Sequence, residues 1–341
     1  MFNIFAIETD TKIVKLYDTV TIGNSKLNQY YASTFADFGI IVCDSDYYKN
    51  GNHYDRRLKS LAKLILANKF LHTVVLLNIN DGQALQEIYF NDIKATIINI
   101  FKNQGFNPNS DITVIPCISN KVDGFLKSRP KTNTYQWYKG PTVVECLDNF
   151  SKIWDESVQK GVNKITIDKQ DELNDVIGKI EYGEIYVGDP LMKGNQELTV
   201  KEIIVNNSVL PASSAGTIVK LKLNQCTDIP HGSILSFPEC TQSNVFNAYI
   251  NTMNTTISAL SNDYWIFINA EKQKITITNF QTHSVEDDRY NDVEIIKKYS
   301  RCYVRVISNR DVCINSSQDF PRLSRFLLLE KNHICGYGNI A

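Results

Sequence analysis

Hydrophobic and polar positions along this chain follow two different rules, and the rule changes near Gly161. In residues 2–7, Phe2, Ile4 and Ala6 share one face. Residues 13–17 alternate again after the polar turn Glu8-Thr9-Asp10-Thr11, so the first 17 residues predict a hairpin. The runs at 38–43, 73–77 and 112–116 are short, unbroken and rich in branched residues, as strands covered on both faces of a parallel sheet must be. Between them, Leu58, Leu61, Ala62, Ile65 and Leu66 form one helical stripe, and Ile93, Ile97, Ile100 and Phe101 form another. Residues 1–155 therefore read as alternating strand and helix, an α/β domain.

Beyond Gly161 the helical period fades. Short alternating segments such as Ile218–Leu223 lie between glycines at 178, 183, 188, 216 and 232, the texture of a small closed barrel over 160–240. A break at 239–246 separates it from a second barrel over 241–341, with strands at Trp265–Ile268, Lys274–Thr278 and Tyr303–Ile307 and a polar insertion around 281–292. A chain of 341 residues exceeds one ordinary core, in keeping with several domains.

With 36 basic and 37 acidic residues, no global field draws the chain to nucleic acid, so an RNA contact needs a local patch. The run Asp55-Arg56-Arg57-Leu58-Lys59 could supply phosphate contacts, although a solvated helix face is the more ordinary reading. Eight cysteines stand singly with no C-x-x-C pair, and are expected to be reduced and structural. The five histidines are scattered and form no catalytic motif. Glu286-Asp287-Asp288 reads as a solvated loop, so neither a catalytic group nor a metal ligand is expected. The start lacks a charged leader before an apolar run, and no stretch reaches about 18 apolar residues, so a cytoplasmic protein without a membrane span is expected.

Several segments carry a family resemblance. Gly178-Lys179-Ile180-Glu181-Tyr182-Gly183-Glu184-Ile185-Tyr186-Val187-Gly188-Asp189 resembles the second-domain signature of translational GTPases, with Ala215-Gly216 and Pro230-His231-Gly232 at the family's spacing. Asp319-Phe320-Pro321-Arg322-Leu323-Ser324-Arg325-Phe326 resembles the third-domain stretch D-[FY]-P-x-[LM]-G-R-F. Gly105-Phe106-Asn107-Pro108, Ile115-Pro116-Cys117, Trp137-Tyr138-Lys139-Gly140-Pro141-Thr142 and Leu147-Asp148 are similar to the elongation factor 1-alpha subfamily. Within it, the class-II release factors and Hbs-type rescue factors look nearest. The resemblance covers nearly the whole chain and implies an α/β domain followed by two β-barrels.

The same resemblance shows what this sequence does not carry. No glycine opens a G-x-x-x-x-G-K-[ST] loop, whose N–H groups and lysine cradle phosphates. The place of D-x-x-G-H reads Asp18-Thr19-Val20-Thr21-Ile22. Threonine lacks glycine's backbone freedom, and isoleucine cannot orient a water. The guanine motif N-K-x-D reads Asn78-Ile79-Asn80-Asp81, without the lysine stem that covers the base, and Ile118-Ser119-Asn120 replaces the base loop. Asp18, Asn78 and Asp81 are thus the candidate remnants of a nucleotide site. No cofactor is expected beyond weak residual guanine nucleotide binding. Asp18 lies near the start, so the family's first strand and phosphate loop are not expected before it. The α/β domain should then be a truncated P-loop-GTPase-like one, with the strand at 12–17 pairing directly with 38–43 or the sheet shortened.

In the release-factor and rescue-factor relatives, the strand matching Arg325-Phe326 helps dock a tRNA-shaped partner. Arg325, Phe326, Leu327 and Leu329 are the partner-binding candidates, with barrel core the competing reading for the leucines. The sequence thus points to a pseudo-GTPase, monomeric when free and ribosome-associated. Its partner would be a class-I release factor, a Pelota-type protein or a ribosomal surface that includes rRNA. Two alternatives are a hibernation or stalling factor at the factor-binding site and a fragment of an active translational GTPase.

Overall fold

The computed structural model describes residues 3–19, 25–46, 53–79, 86–117, 125–128, 136–150, 161–172, 175–225, 228–258, 263–284 and 289–341. The chain divides into two compact units, Met1–Ile153 and Trp154–Ala341.

The first unit opens with β1 (Asn3–Glu8) and β2 (Ile13–Asp18), an antiparallel pair in register from Asn3↔Asp18 to Glu8↔Ile13. There follow α1 (Ser25–Phe35), β3 (Gly39–Asp44), α2 (His53–Asn68), β4 (Thr73–Asn78), α3 (Gln86–Lys102), β5 (Ile112–Cys117) and α4 (Val143–Asn149). Strands β3, β4 and β5 form a parallel sheet in that order, with Val75 opposite both Ile41 and Val114. Every residue of β4 is buried, which is why its sequence is unbroken Thr-Val-Val-Leu-Leu before Asn78. The stripes of α2 and α3 supply Leu58, Ala62, Ile65, Ile93, Ile97, Ile100 and Phe101 to the core around it.

Direct pairing of the 12–17 strand with 38–43 does not occur. Among the described residues β2 ladders only with β1, and the shortened three-stranded sheet is what the chain adopts. The hairpin pairs one edge of β2 with β1, its turn is held by Asp148, and β2 meets the core through side chains, Val14 fully and Leu16 partly. Its turn is fastened to α4. Thr9 Oγ1, Thr11 Oγ1 (2.7 Å) and the Asp10 and Thr11 N–H groups (3.2 Å each) all donate to the Asp148 carboxylate. These donors, Thr9 foremost, hold the Asp148 carboxyl down to about 2. Lys12 Nζ donates in turn to the carbonyls of Leu147 (3.1 Å), Asp148 (2.7 Å) and Phe150 (2.6 Å), covering the helix end where carbonyls lack intrahelical partners. The other end of α4 carries a capping box between Thr142 and Glu145.

The second unit holds two closed barrels. The strands of the first are β6 (Asn163–Glu172), β7 (Asp175–Tyr182), β8 (Glu184–Tyr186), β9 (Pro190–Lys193), β10 (Gln196–Val205), β11 (Ser208–Leu210), β12 (Ala212–Ser214), β13 (Ile218–Leu223) and β14 (Ile234–Phe237). The order β10-β13-β7-β6-β14-β9 closes through a β9–β10 pairing into six strands, with β11 appended and β8–β12 a separate pair. Alternating residues such as Ile165, Ile167, Val176, Ile180, Val219 and Leu221 fill its interior. Gly183 has φ +85°, and a Cβ there would collide with Asn163 Oδ1 and the Val162 carbonyl, so only glycine turns the chain here.

The second barrel comprises β15 (Gln242–Thr252), β16 (Ile257–Ser258), β17 (Tyr264–Ile268), β18 (Glu271–Ser284), β19 (Arg289–Asp292), β20 (Ile295–Ile296), β21 (Arg301–Cys313), β22 (Arg325–Glu330) and β23 (His333–Ile340). The ring β17-β22-β23-β15-β21-β18 closes through β17–β18, again with six strands. Within the polar stretch around 281–292, Gln281–Ser284 of β18 pair with β19 from Gln281↔Asp292 to Ser284↔Arg289. The cysteines are not all reduced: Cys240 and Cys313 are bridged, with Cα atoms 5.8 Å apart. The β15–β21 register, which sets Gln242 opposite Cys313, is what brings them together.

Candidate functional site

Two regions contain most of the described residues that the sequence singles out. One is the carboxyl edge of the parallel sheet, where ligands of open α/β folds bind. The other is the start of β22, beside the seam between the two barrels.

At the sheet edge, Asp44, Asn78 and Cys117 end adjacent strands. Asn78 Nδ2 donates to Asp44 Oδ2 at 3.3 Å, and the Asp46 N–H donates to Asp44 Oδ1 at 3.0 Å. The backbone continues the parallel ladder one step past the strands: the Ser45 N–H donates to the Asn78 carbonyl and the Ile79 N–H to the Cys117 carbonyl, each at 3.0 Å. Tyr89 Oη donates to the Ser45 carbonyl at 2.9 Å. Ile79 is 0% exposed and belongs to the core of the unit. Burial pushes the Cys117 thiol up to about 12, with Cys43 and Asp44 adding to the effect.

At the places of the guanine motif, the described residues depart from the resembled pattern. The asparagine amide that would read the base is turned to a carboxylate of its own sheet. The next residue, where a lysine stem would lie over the base, is an aliphatic side chain sealed in the core. Asp18 is half-buried at the end of β2, on the hairpin and not on the parallel sheet. Asp81, the Val20-Thr21-Ile22 segment, the Ile118-Ser119-Asn120 loop and Glu286-Asp287-Asp288 lie outside the described residues. Among the described residues no group of three or more His, Cys, Asp or Glu side chains could hold a metal ion. Arg56, Arg57 and Lys59 are exposed on α2 while Leu58 is buried, the solvated-face pattern.

In β22 the side chains alternate between two buried environments. Phe326 and Leu328 enter the barrel core. Leu327 and Leu329, on the opposite face, are only 3% and 1% exposed, beside Phe267 and Trp265 in the ladder. Arg325 is half-buried, and burial together with Arg322 holds its guanidinium down to about 10. The partner candidates Phe326, Leu327 and Leu329 are therefore packed side chains in this structure.

The motif before β22 builds the seam. The Arg322 N–H donates to Tyr182 Oη at 3.1 Å, and Arg322 Nε stands 3.1 Å from Glu181 Oε2. The Tyr182 and Phe320 rings meet edge to face at 5.1 Å, and Lys164 Nζ lies 4.4 Å over the Phe320 ring. Burial lowers the Lys164 ammonium to about 8. Ser324, where the resembled motif has glycine, is accommodated: its hydroxyl donates to the Pro321 carbonyl (3.2 Å) and accepts from Asn339 Nδ2 (3.1 Å). Glu181, Lys164, Cys240 and Cys313 were not singled out in the sequence as functional. Glu181 and Arg322 stand 141 positions apart, so no local spacing could have flagged them.

Comparisons with known proteins agree with this architecture. Residues 245–341 match the GTP-eEF1A C-terminal domain-like family. The chain is 24% identical over 327 residues to the eukaryotic peptide chain release factor GTP-binding subunit of Kluyveromyces lactis, covering 89% of this chain and 46% of that protein. It is 22% identical over 340 residues to Protein HBS1 of Drosophila melanogaster, covering 94% and 50%. The chain thus spans about half the length of these curated relatives. The apo structure of translation elongation factor SelB from Methanococcus maripaludis has the same fold, at TM-score 0.67 and 16% identity, covering 98% of this chain and 71% of that one.

Proposed function

The chain belongs to the translational GTPase superfamily, and from that premise we propose that it acts in translation termination or ribosome rescue as a non-catalytic docking protein. In this reading the barrels hold a class-I release factor, a Pelota-type protein or a ribosomal surface, and no nucleotide is cleaved. The observation that carries the proposal is Ile79: the position that would cover a guanine base is a core residue, and the neighbouring Asn78 amide is engaged by Asp44. Asp18, Asn78 and Asp81 would then be remnants able to support only weak guanine nucleotide binding.

Docking by shape needs a rigid body, and the seam of Glu181, Arg322, Tyr182 and Phe320 supplies one. Leu327 and Leu329, packed beneath it, would support from inside the surface that a partner meets, with the half-buried Arg325 as its charged element. Such a protein would work in the cytoplasm beside ribosomes; among the described residues no helix is long and apolar enough to cross a membrane.

Co-sedimentation tests this directly. Purified full chain is spun with ribosomes, with and without a class-I release factor or Pelota-type protein, in buffer free of nucleotide. Cosedimentation that is unchanged by added GTP supports the reading, and binding that appears only with GTP overturns it.

A further inference from the structure

Cys240 and Cys313 are 73 residues apart in sequence and bridged in space. Cys240 lies in the connection between the barrels, after β14 ends at Phe237 and before β15 begins at Gln242. Cys313 ends β21. The bridge sits in an apolar cluster with Tyr182 and Ile234 from the first barrel and Leu323 from the second, against Phe320. It therefore ties the inter-barrel connection to the second barrel at the seam itself.

The other described cysteines differ. Cys43, Cys117, Cys146, Cys302 and Cys335 are not disulfide-bonded. Burial pushes Cys302 up to about 12 and Cys146 up to about 11, as for Cys117, which keeps these thiols protonated and slow to react.

A buried amide flanks the bridge. Asn315 Nδ2 donates to Cys313 Sγ at 3.4 Å and to the Cys313 carbonyl at 3.3 Å, while Oδ1 has no donor among the described residues. A donor aimed at Cys313 Sγ favours the thiolate leaving from that sulfur. The orphaned Oδ1 is an acceptor for which reduction would create an S–H donor, so the amide is suited to both states.

We infer that Cys240 and Cys313 form a reversible redox site that locks the barrel seam when oxidised and releases it when reduced, in exchange with a glutathione-class thiol. The step balances. A small thiolate attacks Cys240 Sγ, the disulfide bond breaks, and Cys313 leaves as thiolate and takes a proton. A second small thiol attacks the mixed disulfide, freeing Cys240 as a thiol and forming the small-molecule disulfide. Two electrons and two protons pass from the two small thiols to the bridge, and the reverse reaction restores it.

The test uses the full chain equilibrated across a series of reduced-to-oxidised glutathione ratios, acid-quenched, alkylated and read by peptide mass spectrometry. The same samples are read by hydrogen exchange over residues 238–242 and 313–324. The bridged fraction should fall in one two-electron step, to less than about a tenth at the reducing end, while Cys43, Cys117, Cys146, Cys302 and Cys335 stay reduced throughout. Exchange over the two seam segments should rise at least about tenfold on reduction. C240S and C313S should each show the faster exchange in every buffer, with C240A/C313A serving the same end if either serine variant fails to fold. A pair that never bridges, a bridge that survives excess reductant in the folded chain, or seam exchange independent of the bridge would each overturn the inference.

Discussion

Restoring the lysine of the family motif at position 79 should break this protein instead of reviving a nucleotide site. Ile79 is 0% exposed in the core of the α/β unit. A lysine there exchanges one apolar stem for another and buries an ammonium in the apolar core. Burial depresses a lysine by up to about 3–5 pKa units, and each unit is about 1.36 kcal/mol. With a folded value near or below 7 and an unfolded value of about 10.4, the unfolded state holds more protons at pH 7. The cost there is about 4–5 kcal/mol, a large fraction of a domain's total of roughly 5–15. The sign fixes the pH dependence: the penalty is absent above about pH 10.4, grows as pH falls, and levels off below the folded pKa. Urea melts followed by circular dichroism at 222 nm isolate this unit, because all described helices lie in it. An I79K variant that melts within about 1 kcal/mol of the parent at pH 7 would refute the reasoning, by showing that position 79 opens onto solvent or a pocket.

Three further outcomes follow from the same structure. Arg322→Ala strands Glu181, which is 2% exposed, and should lower the stability of the barrel unit by about 2–4 kcal/mol; the E181Q/R322M pair should recover most of it in denaturant melts. Leu327→Ala and Leu329→Ala should each cost about 2–5 kcal/mol of barrel stability, whereas a loss of partner affinity at unchanged stability would place these side chains at an outer surface. The Asp148 carboxyl, held at about 2, supports the hairpin turn above the ordinary carboxylate range and loses that support as pH falls toward 2. Hydrogen exchange of the 9–12 turn should therefore quicken over that acid window in the parent chain and show no such step in D148N.

Much of the architecture was legible because each signal was local. Alternation around Glu8–Thr11 gave the hairpin, unbroken branched runs gave β3, β4 and β5, and the stripes of α2 and α3 follow from their 3.6-residue period. The α4 helix carried a readable signal too, since Thr142-Val143-Val144-Glu145 is a capping-box sequence. The fate of β2 was harder, because whether it ladders with β3 or rests on the core through Val14 depends on where Asp148 and Lys12 meet in space. The seam was illegible for the same reason. Glu181 lies within a segment that reads as a glycine-turn signature, and Cys240 and Cys313 read as isolated residues until the β15–β21 register is known. Of the candidate remnants, Asn78 could be placed on a strand end from sequence, but its engagement by Asp44 comes from the parallel register of β3 and β4.

Calorimetric titration of the full chain with GTP and with GDP, each with magnesium, tests the central claim most directly. A filled base position and an engaged Asn78 predict binding weaker than about 10 μM, roughly 6.8 kcal/mol, for both nucleotides. Saturable heat with a tighter dissociation constant for either one would contradict the account.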